Sequence, residues 1–180
     1  EMERQLRRIK KLTECQEISI ANSAATMILS ESHCAMVRPG LALFGVSPFQ
    51  EQDKDLIPAL RLSSRIIQIK KIKKGESVGY SRTFRSEGAM HLAVVAMGYA
   101  DGLSTRMSNR GCFLIKGQRV PIVGRVSMDM TTVDVTSIED VAVGDRVIVI
   151  GRSGNEEILA EDVACWSEKS NYEILCNLGH

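Results

Sequence analysis

The chain has 180 residues and a mass of 19.8 kDa, and its 23 basic and 22 acidic side chains give a formal net charge of +1. Hydrophobic residues make up 44% and charged residues 25%, as in an ordinary globular protein, which excludes a disordered or fibrous chain. The balanced charge argues against general nucleic-acid binding, and no apolar run is long enough to cross a bilayer. We therefore expect a globular protein that has neither nucleic acid nor a membrane as its partner.

The first part of the chain alternates helical and extended patterns. It predicts in order a helix, a strand, a helix and a strand, over residues 1–14, 17–20, 24–30 and 36–45. Asn22 or Ser23 is suited to cap the second helix. This alternation is typical of an α/β unit with parallel strands. We assign residues 1–56 to such a unit and interpret the polar segment 50–55 as its linker to the next domain.

The remainder, residues 57–180, has a different pattern. Short β-branched segments separated by glycine-containing turns predict strands over residues 59–72, 89–97, 112–115, 120–126, 131–135 and 146–150. Many short strands of this kind are typical of an antiparallel barrel or sandwich. One helix is predicted near the end, over residues 159–169. The sequence therefore predicts a mainly β chain with an α/β remnant at its start.

Cysteine and histidine usage bears on metals and on the cellular compartment. The five cysteines are odd in number and widely spaced, without a C-x-x-C pair, and the three histidines are isolated. This pattern predicts neither a disulfide framework nor a metal site. Scattered thiols fit a reducing cytosol, so we expect a cytoplasmic protein.

Two short segments of the α/β unit carry groups suited to an anion. Asn22 and Ser23 stand between a predicted strand and a predicted helix, where backbone N–H groups and a hydroxyl can surround a phosphate. Ordinary helix capping explains the same residues. Arg38 lies at the end of the next predicted strand, followed by Gly40, which lets a ligand approach the backbone. A surface ion pair is the alternative for Arg38.

Three tyrosines and one pair of charged residues are the candidates in the β part. Tyr80, Tyr99 and Tyr172 are the only tyrosines in the chain. A phenol can act as a base when a cationic neighbour lowers its pKa, although many strand tyrosines only cover a sheet surface. A period of two places Arg125 and Asp129 on one face of a predicted strand, and a structural ion pair explains them as well.

Several of these segments together resemble the alanine racemase family, enzymes that interconvert L- and D-alanine with pyridoxal 5′-phosphate (PLP). The matching blocks stand in the family's order: ANSAA at 21–25, VRPGLALFG at 37–45, VGY at 78–80, GYADG at 98–102, PIVGRVSMDM at 121–130, VDVT at 133–136 and NYE at 171–173. The family fold is a (β/α)8 barrel followed by a β domain. The resemblance implies that this chain holds the end of a truncated barrel and the β domain, without the R-V-P-R continuation that usually follows the last block.

The resemblance implies a role for individual residues around the substrate. Tyr80 matches the family's tyrosine base, which exchanges the α-proton on the face opposite the PLP lysine. Met128, through its backbone, and Asp129 match the side of the pocket that receives the substrate carboxylate. Tyr99 resembles a tyrosine at the active-site entrance. Two groups on opposite faces are needed because a single base tends to return the proton to the side from which it came.

The resemblance also implies a set of cofactor-binding residues. Arg38 matches the arginine that contacts the pyridine nitrogen, and the phosphate-binding groups match Asn22, Ser23, Gly40, Leu41 and Tyr172. An arginine does not give up its proton near neutral pH, so it leaves the pyridine nitrogen uncharged. An uncharged pyridine is a weaker electron sink, which limits side reactions such as transamination.

One family feature has no match here. The Schiff-base lysine of the family lies in a V-K-A-N-A-Y-G-H-G-like block, and none of the nine lysines has that context. Smaller departures are Ser127, Met130 and Phe44, where Cys, Gln and Tyr are common. We expect the chain to be the C-terminal part of an alanine racemase. We expect the complete protein to be a homodimer in which Tyr80 and Met128 serve the partner's cofactor. We expect the isolated chain to be inactive.

Two alternatives remain open at this level. A serine or broad-specificity racemase of the same family would share every block, since residues that select the substrate can lie outside this chain. A non-catalytic β-domain that serves as an assembly module would keep the fold without the reaction. The reaction of the full-length protein separates these alternatives from the leading interpretation, since the first would act on serine or on several amino acids and the second would catalyse no reaction.

Overall fold

The computed structural model describes residues 4, 5, 8, 17–49 and 55–178. The chain divides into two compact units, Glu1–Ala59 and Leu60–His180. The predicted linker over 50–55 lies, apart from Asp55, outside the described residues. Within the described part of the chain, no helix is both long and apolar enough to span a bilayer.

The first unit contains two extended segments that run in parallel. Ala21 and Val37 form a parallel bridge, and the Arg38 N–H donates to the Ala21 carbonyl at 2.8 Å. Between them lies helix α1, Ser23–Ile28, followed by a 3₁₀ turn at Ser30–Ser32. The amphipathic helix predicted over 1–14 falls mostly outside the described residues, of which 4, 5 and 8 are helical.

Helix α1 is capped as the sequence predicts. The Asn22 side-chain oxygen accepts from the Ala25 N–H at 3.0 Å, and the Thr26 N–H reaches the Asn22 carbonyl at 2.8 Å. An asparagine at this position satisfies a backbone donor that the first helical turn leaves unpaired. The capping also fixes how the helix, which begins at Ser23, is oriented relative to the extended segment before it.

The prediction of a strand over residues 36–45 is wrong for its second half, residues 41–45. Leu41–Phe44 is a 3₁₀ helix, which ends at Gly45 with φ +70°. A β carbon on Gly45 would lie 1.9 Å from the Ile57 carbonyl oxygen, so only glycine fits this turn. The apolar run suggested a strand, but Pro39 and Gly40 end the extended conformation directly after the bridge.

The second unit is an antiparallel β barrel. Its strands are β1 Leu62–Ile72, β2 Ser77–Val78, β3 Phe84–Arg85, β4 Met90–Val95, β5 Cys112–Ile115, β6 Gln118–Pro121, β7 Thr131–Asp134, β8 Arg146–Ser153 and β9 Glu156–Ile158. The order in the main sheet is β6-β5-β8-β1-β4-β7, with β9 on β8. A bridge between Ile122 and Val133, with an N–H···O bond of 2.9 Å from Val123 to Thr132, joins the two edges. Closure of this kind removes exposed strand edges.

The barrel interior is filled with aliphatic side chains around one aromatic ring. Phe113 is fully buried, and its neighbours in the core come from every strand of the barrel order: Ile66, Val95, Leu114, Val120, Val133 and Val147. Burial of this many branched side chains supplies the main stabilisation of the unit. A packed barrel therefore provides a rigid base for the loops that leave its strands.

The predicted strands were mostly found, with one instructive error. The strand predicted over 112–115 is β5, whereas the strand predicted over 120–126 ends at Pro121. Beyond Ile122 the chain is irregular, with Gly124 at φ +79°. A period-two face for Arg125 and Asp129 therefore does not exist. The hairpin β2–β3 and strand β9 were not predicted, because two or three residues give no alternation to detect.

Two helices close the second unit. Helix α2, Ala160–Ser167, confirms the helix predicted there, but α3, Asn171–Asn177, was not predicted. The signal for α3 was present: Ser170 and Glu173 form a capping box, in which each side chain accepts a hydrogen bond from the other's backbone N–H. Tyr172 is the second residue of this helix.

Candidate active site

In the first unit, Ser23 lies at the point where the two parallel segments end. Its hydroxyl oxygen accepts from the Gly40 N–H at 2.8 Å and from the Ala42 N–H at 3.3 Å, and the residue is only 2% exposed. The carboxyl ends of adjacent parallel strands are where α/β folds place their ligands. Asn22, Ser23, Gly40 and Leu41 are therefore brought together as the sequence motifs suggest.

This cluster retains free donors and free space. Among the described residues, the Leu41 N–H has no acceptor, and the Ser23 hydroxyl accepts two bonds without donating its own proton. A β carbon on Gly40 would meet no atom within 4 Å. Backbone and hydroxyl donors beside an open space suit an anion such as a phosphate group.

Arg38 is held by a residue on the neighbouring segment. Its Nη1 donates to the Ser19 hydroxyl at 2.7 Å and to the Ser19 carbonyl at 2.5 Å, and the arginine is exposed. It forms no ion pair within the described ranges, so the ion-pair alternative receives no support. A guanidinium has five N–H donors in a planar fork, so the remaining ones are available to a ligand.

In the second unit, Tyr80 lies in the tip of the β2–β3 hairpin, in a turn of unusual backbone conformation. Gly79, Ser81 and Arg82 have φ values of +74°, +60° and +49°. Non-glycine residues adopt this region at a cost, and such strain persists where surrounding contacts impose it. The turn presents Tyr80 to the outside of the unit with 72% of the residue exposed.

The hairpin rests backbone to backbone on the irregular segment that follows β6. A β carbon on Gly79 would lie 3.0 Å from the Arg125 nitrogen, and one on Gly124 would lie 2.7 Å from the Val78 carbonyl oxygen. Both glycines are thus required by the close approach. This approach places the Tyr80 turn on the segment 124–128, which ends at Met128.

The turn that carries Tyr99 is attached to the other end of the same segment. The Tyr99 N–H donates to the Ser127 carbonyl and the Ala100 N–H to the Met128 carbonyl, both at 2.9 Å. The Met128 N–H has no acceptor in the described part of the chain. A free N–H on a backbone fixed by these bonds can receive a carboxylate. Segment 124–128 thus connects the Tyr80 turn to the Tyr99 turn.

The charged pair suggested by the sequence does not form. Arg125 and Asp129 are both exposed, and the described residues contain no ion pair between them. Asp129 follows Met128 directly, in a turn closed by the Ser127 N–H bonding to the Met130 carbonyl at 2.9 Å. Asp129 is therefore the next residue after the free Met128 N–H, and it is exposed to solvent.

Helix α3, which carries Tyr172, packs beside the Tyr99 turn. A β carbon on Gly102 would lie 2.1 Å from the Asn177 carbonyl oxygen, at the end of α3. The Tyr99 turn and α3 line a cavity of about 480 Å³ together with Arg106 and Lys169. The structure thus brings Tyr99 and the helix of Tyr172 to one side of the barrel, and both tyrosines are about half exposed.

An ion-pair cluster fixes the connection between α2 and α3. Glu168, at φ +52°, pairs with both Arg106 and Arg110. The hydrogen bond from Arg110, with the charges of both arginines, holds the pKa of Glu168 below its ordinary value. The cluster ties the end of α2 to the loop that follows the Tyr99 turn.

Metal-binding groups do not cluster in the described residues. No set of three or more His, Cys, Asp or Glu side chains is arranged to hold a metal ion there. Cys34, Cys112, Cys165 and Cys176 are free thiols. Burial raises the pKa of the Cys112 thiol, against a weaker opposing effect of Arg119.

Sequence reasoning missed one residue that joins these parts. Asn109 bonds to Thr83, beyond the Tyr80 turn, and to Gly124. Its left-handed backbone, at φ +58°, is a conformation in which asparagine is enriched, but a single asparagine in a polar loop gives no signal in the sequence. The fold alone places its partners beside it.

Two domain families match the chain. Residues 59–180 match the family described as alanine racemase, C-terminal domain, and residues 1–48 match alanine racemase, N-terminal domain. Among curated relatives, the alanine racemase of Desulfosudis oleivorans is 40% identical over 161 residues, 88% of this chain and 41% of the relative. Alanine racemase 1 of Caldanaerobacter subterraneus is 43% identical over 161 residues, 88% of this chain and 42% of the relative.

Solved structures give the same result. Alanine racemase from Bacillus anthracis with bound L-Ala-P matches with a TM-score of 0.88 and 37% identity, over 98% of this chain and 46% of that one. Alanine racemase from Bartonella henselae with covalently bound pyridoxal phosphate matches with a TM-score of 0.86 and 31% identity, over 99% and 49%. The chain thus spans less than half the length of these proteins. The matches confirm the predicted fold class, a barrel end followed by an antiparallel β domain.

Proposed function

The chain belongs to the alanine racemase family, and on this premise we propose that the full-length protein interconverts L- and D-alanine with PLP. The observation that carries the proposal is the attachment of the Tyr80 turn and the Tyr99 turn to the two ends of segment 124–128. The Tyr80 phenol, which would transfer the proton, and the free Met128 N–H, which would bind a carboxylate, are then both held by segment 124–128. We assign residues 1–56 to the end of the PLP-binding barrel and 57–180 to the β domain.

Tyr80 is the proposed proton-transfer group of this chain. Its phenolate oxygen takes the α-hydrogen of one enantiomer as a proton and becomes a phenol, and in the reverse direction the phenol O–H returns a proton to the same face. A second group must act on the opposite face, because inversion requires removal on one side and delivery on the other. In the family this group is the PLP lysine, for which none of the nine lysines here has the matching context.

The substrate carboxylate is the proposed ligand of Met128 and its neighbour. The free Met128 N–H can donate to a carboxylate oxygen, and its direction is fixed by the bond from Ala100 to the Met128 carbonyl. Asp129 and Tyr99 border this position and restrict what can enter. Fixed donors of this kind favour a defined orientation of the α-hydrogen relative to the phenol.

The residues of the first unit fit the phosphate and the ring of PLP. Asn22, Ser23 and the backbone at Gly40 and Leu41 provide the free donors and the open space that a phosphate group requires. The family resemblance adds the phenol of Tyr172 as a further phosphate donor. Bound PLP supplies an electron sink that acidifies the substrate α-hydrogen.

Arg38 is the proposed contact of the pyridine nitrogen. Ser19 fixes the guanidinium from one side and leaves its other N–H groups free. Because arginine keeps its proton, it donates a hydrogen bond without protonating the ring. Ser19 and Arg38 together would therefore hold the ring in the state that favours proton exchange over transamination.

The full-length protein is proposed to be a cytoplasmic homodimer. Tyr80 and Met128 are 72% and 53% exposed, which is unusual for large side chains in a binding site and suits residues that face a second subunit. In the family arrangement they serve the partner's cofactor. The free thiols of the described residues support a reducing compartment.

Incubation of the purified full-length protein and PLP with L-alanine, followed by chiral separation, tests the proposal. We expect D-alanine to accumulate until the enantiomers are equal, with L-serine converted more slowly. Faster conversion of L-serine would instead indicate the serine or broad-specificity alternative. Absence of conversion with both amino acids would contradict the proposal and favour a non-catalytic assembly module.

A further inference from the structure

Asn109 lies at the junction of three segments of the second unit. Its amide nitrogen donates to the Thr83 hydroxyl at 3.1 Å, directly beyond the Tyr80 turn. Its amide oxygen accepts from the Gly124 N–H at 2.6 Å, at the start of segment 124–128. One side chain therefore connects the turn of the proposed base to the segment of the proposed carboxylate site.

The bond to Gly124 satisfies a group that needs a partner. Gly124 is buried, and within the described residues Asn109 is the only acceptor for its N–H. A buried N–H without an acceptor is rare in folded proteins. The neighbouring Ser108 hydroxyl accepts from the Val126 N–H at 3.0 Å, so two consecutive side chains hold alternate N–H groups of the same segment.

The bond to Thr83 acts on a turn that needs external support. Three residues of the turn have positive φ, and the base of the hairpin is held by the small apolar cluster of Val78, Leu92 and Val123. At the tip, the described side chains offer one hydrogen bond that reaches another part of the unit, from Asn109 to Thr83. Strained turns keep their conformation only when such contacts impose it.

We propose that Asn109 is a positioning residue for the proton transfer, which holds the Tyr80 turn in register with segment 124–128. The inference rests on the proposed racemase function. It assigns Asn109 no contact with substrate or cofactor. Its role is to fix the distance between the phenol and the α-hydrogen of a substrate whose carboxylate is held at Met128.

This role makes an asymmetric prediction. In a two-base racemisation each base removes the α-hydrogen of only one enantiomer. Looser positioning of Tyr80 slows only the step in which Tyr80 removes or returns the proton. The α-deuterium isotope effect on kcat/KM should then rise for the enantiomer that Tyr80 deprotonates, and it should stay constant or fall for the other. General loss of folded protein changes neither isotope effect.

The side-chain bonds can be removed one at a time in the full-length holoenzyme. Asn109→Gly deletes both bonds and keeps a residue that tolerates positive φ. Thr83→Val removes the acceptor hydroxyl and Thr83→Ser retains it. Asn155→Ala, in the exposed turn between β8 and β9, is the matched control.

We expect kcat/KM to fall by between about tenfold and a hundredfold in Asn109→Gly, with the asymmetric isotope effects. Thr83→Val should show the same asymmetry to a smaller extent, and Thr83→Ser and Asn155→Ala should match the wild type. Amide hydrogen exchange of peptides that cover 79–83 should rise in Asn109→Gly, with the barrel strands unchanged. The exchange measurement keeps the inference testable if catalysis in a variant is too weak to analyse.

Four results would overturn the inference. Isotope effects that change equally for both enantiomers, or a kcat/KM within twofold of wild type in Asn109→Gly, would remove the positioning role while the racemase function stands. Unchanged amide hydrogen exchange of peptides that cover 79–83 in Asn109→Gly would also remove the positioning role. A wild-type protein without racemase activity would overturn the proposed function and this inference with it.

Discussion

Gly98 lies directly against the backbone of Met128, because a β carbon on Gly98 would be 2.2 Å from the Met128 carbonyl oxygen. Its own φ and ψ, −143° and −161°, are extended and open to any residue, so only this contact requires glycine. We predict that Gly98→Ala pushes the Tyr99 turn away from Met128. The cost should be about 1–3 kcal/mol of unfolding free energy, with a loss of kcat/KM.

Gly88 provides the matched control for Gly98. A β carbon there would meet nothing within 4 Å, so Gly88→Ala should change the unfolding free energy by less than about 0.5 kcal/mol. Chemical denaturation of the full-length protein measures both variants. Equal stability and equal activity of the two variants would disprove the close contact at Gly98.

Gly40 tests the proposed phosphate site without disturbing the fold. Its φ is −114° and a β carbon would meet no atom within 4 Å, so Gly40→Ala should leave the unfolding free energy unchanged within about 0.5 kcal/mol. The added methyl group should occupy space proposed for the cofactor phosphate and weaken PLP binding about tenfold or more. Equilibrium dialysis of PLP against the full-length variant measures the affinity, and an unaltered dissociation constant would place the phosphate elsewhere.

The ion-pair cluster at Glu168 predicts an acid-dependent loss of stability. Hydrogen bonding to Arg110 lowers the folded-state pKa of Glu168 below its unfolded value. Its contribution is therefore present above the unfolded pKa, near 4.3 for a glutamate, and is lost as the pH falls through the lower folded-state pKa. The wild type should lose unfolding free energy more steeply below about pH 4.3 than Glu168→Gln does.

Salt provides a second check on the same cluster. Both arginines and Glu168 are about half exposed, so high salt should screen the pairs and reduce the difference between wild type and Glu168→Gln. Glu87→Gln is the control, since Glu87 is exposed and forms no ion pair in the described residues. Parallel pH curves for wild type and Glu168→Gln would contradict the assignment.

The 180-residue chain alone should have no racemase activity. It contains one of the two proposed proton-transfer groups, and none of its nine lysines has the context of the PLP lysine. Activity should therefore require the full-length polypeptide. Turnover of L-alanine by the isolated chain with added PLP, measured beside the full-length protein, would contradict the two-base account.

Local patterns predicted the parts of the fold that local chemistry determines. Strand β5 was predicted because its apolar residues precede a Lys-Gly turn, and the cap at Asn22 was predicted from side-chain type. Leu41–Phe44 was mistaken for a strand because its apolar run fits either conformation, and the turn to Gly45 depends on a contact with Ile57. Helix α3 was missed although its capping box at Ser170 was visible.

The connections within the candidate site were beyond sequence reasoning. Asn109 bonds to residues 26 and 15 positions away, and the barrel closure that brings them together is not encoded near any of the three. The individual site residues were suggested by the family resemblance. The attachment of the Tyr80 turn and the Tyr99 turn to segment 124–128, by glycine contacts and backbone bonds, became visible only in the fold.

The central claim is that Tyr80 transfers the α-proton of alanine in the full-length enzyme. The most direct measurement is the rate of D-alanine formation from L-alanine by Tyr80→Phe, which keeps the ring and removes only the hydroxyl. Loss of a general acid–base group predicts a fall in kcat of about 10²–10⁴-fold, with PLP content and unfolding free energy close to those of the wild type. Activity within about threefold of the wild type would show that another group moves this proton and would contradict the account.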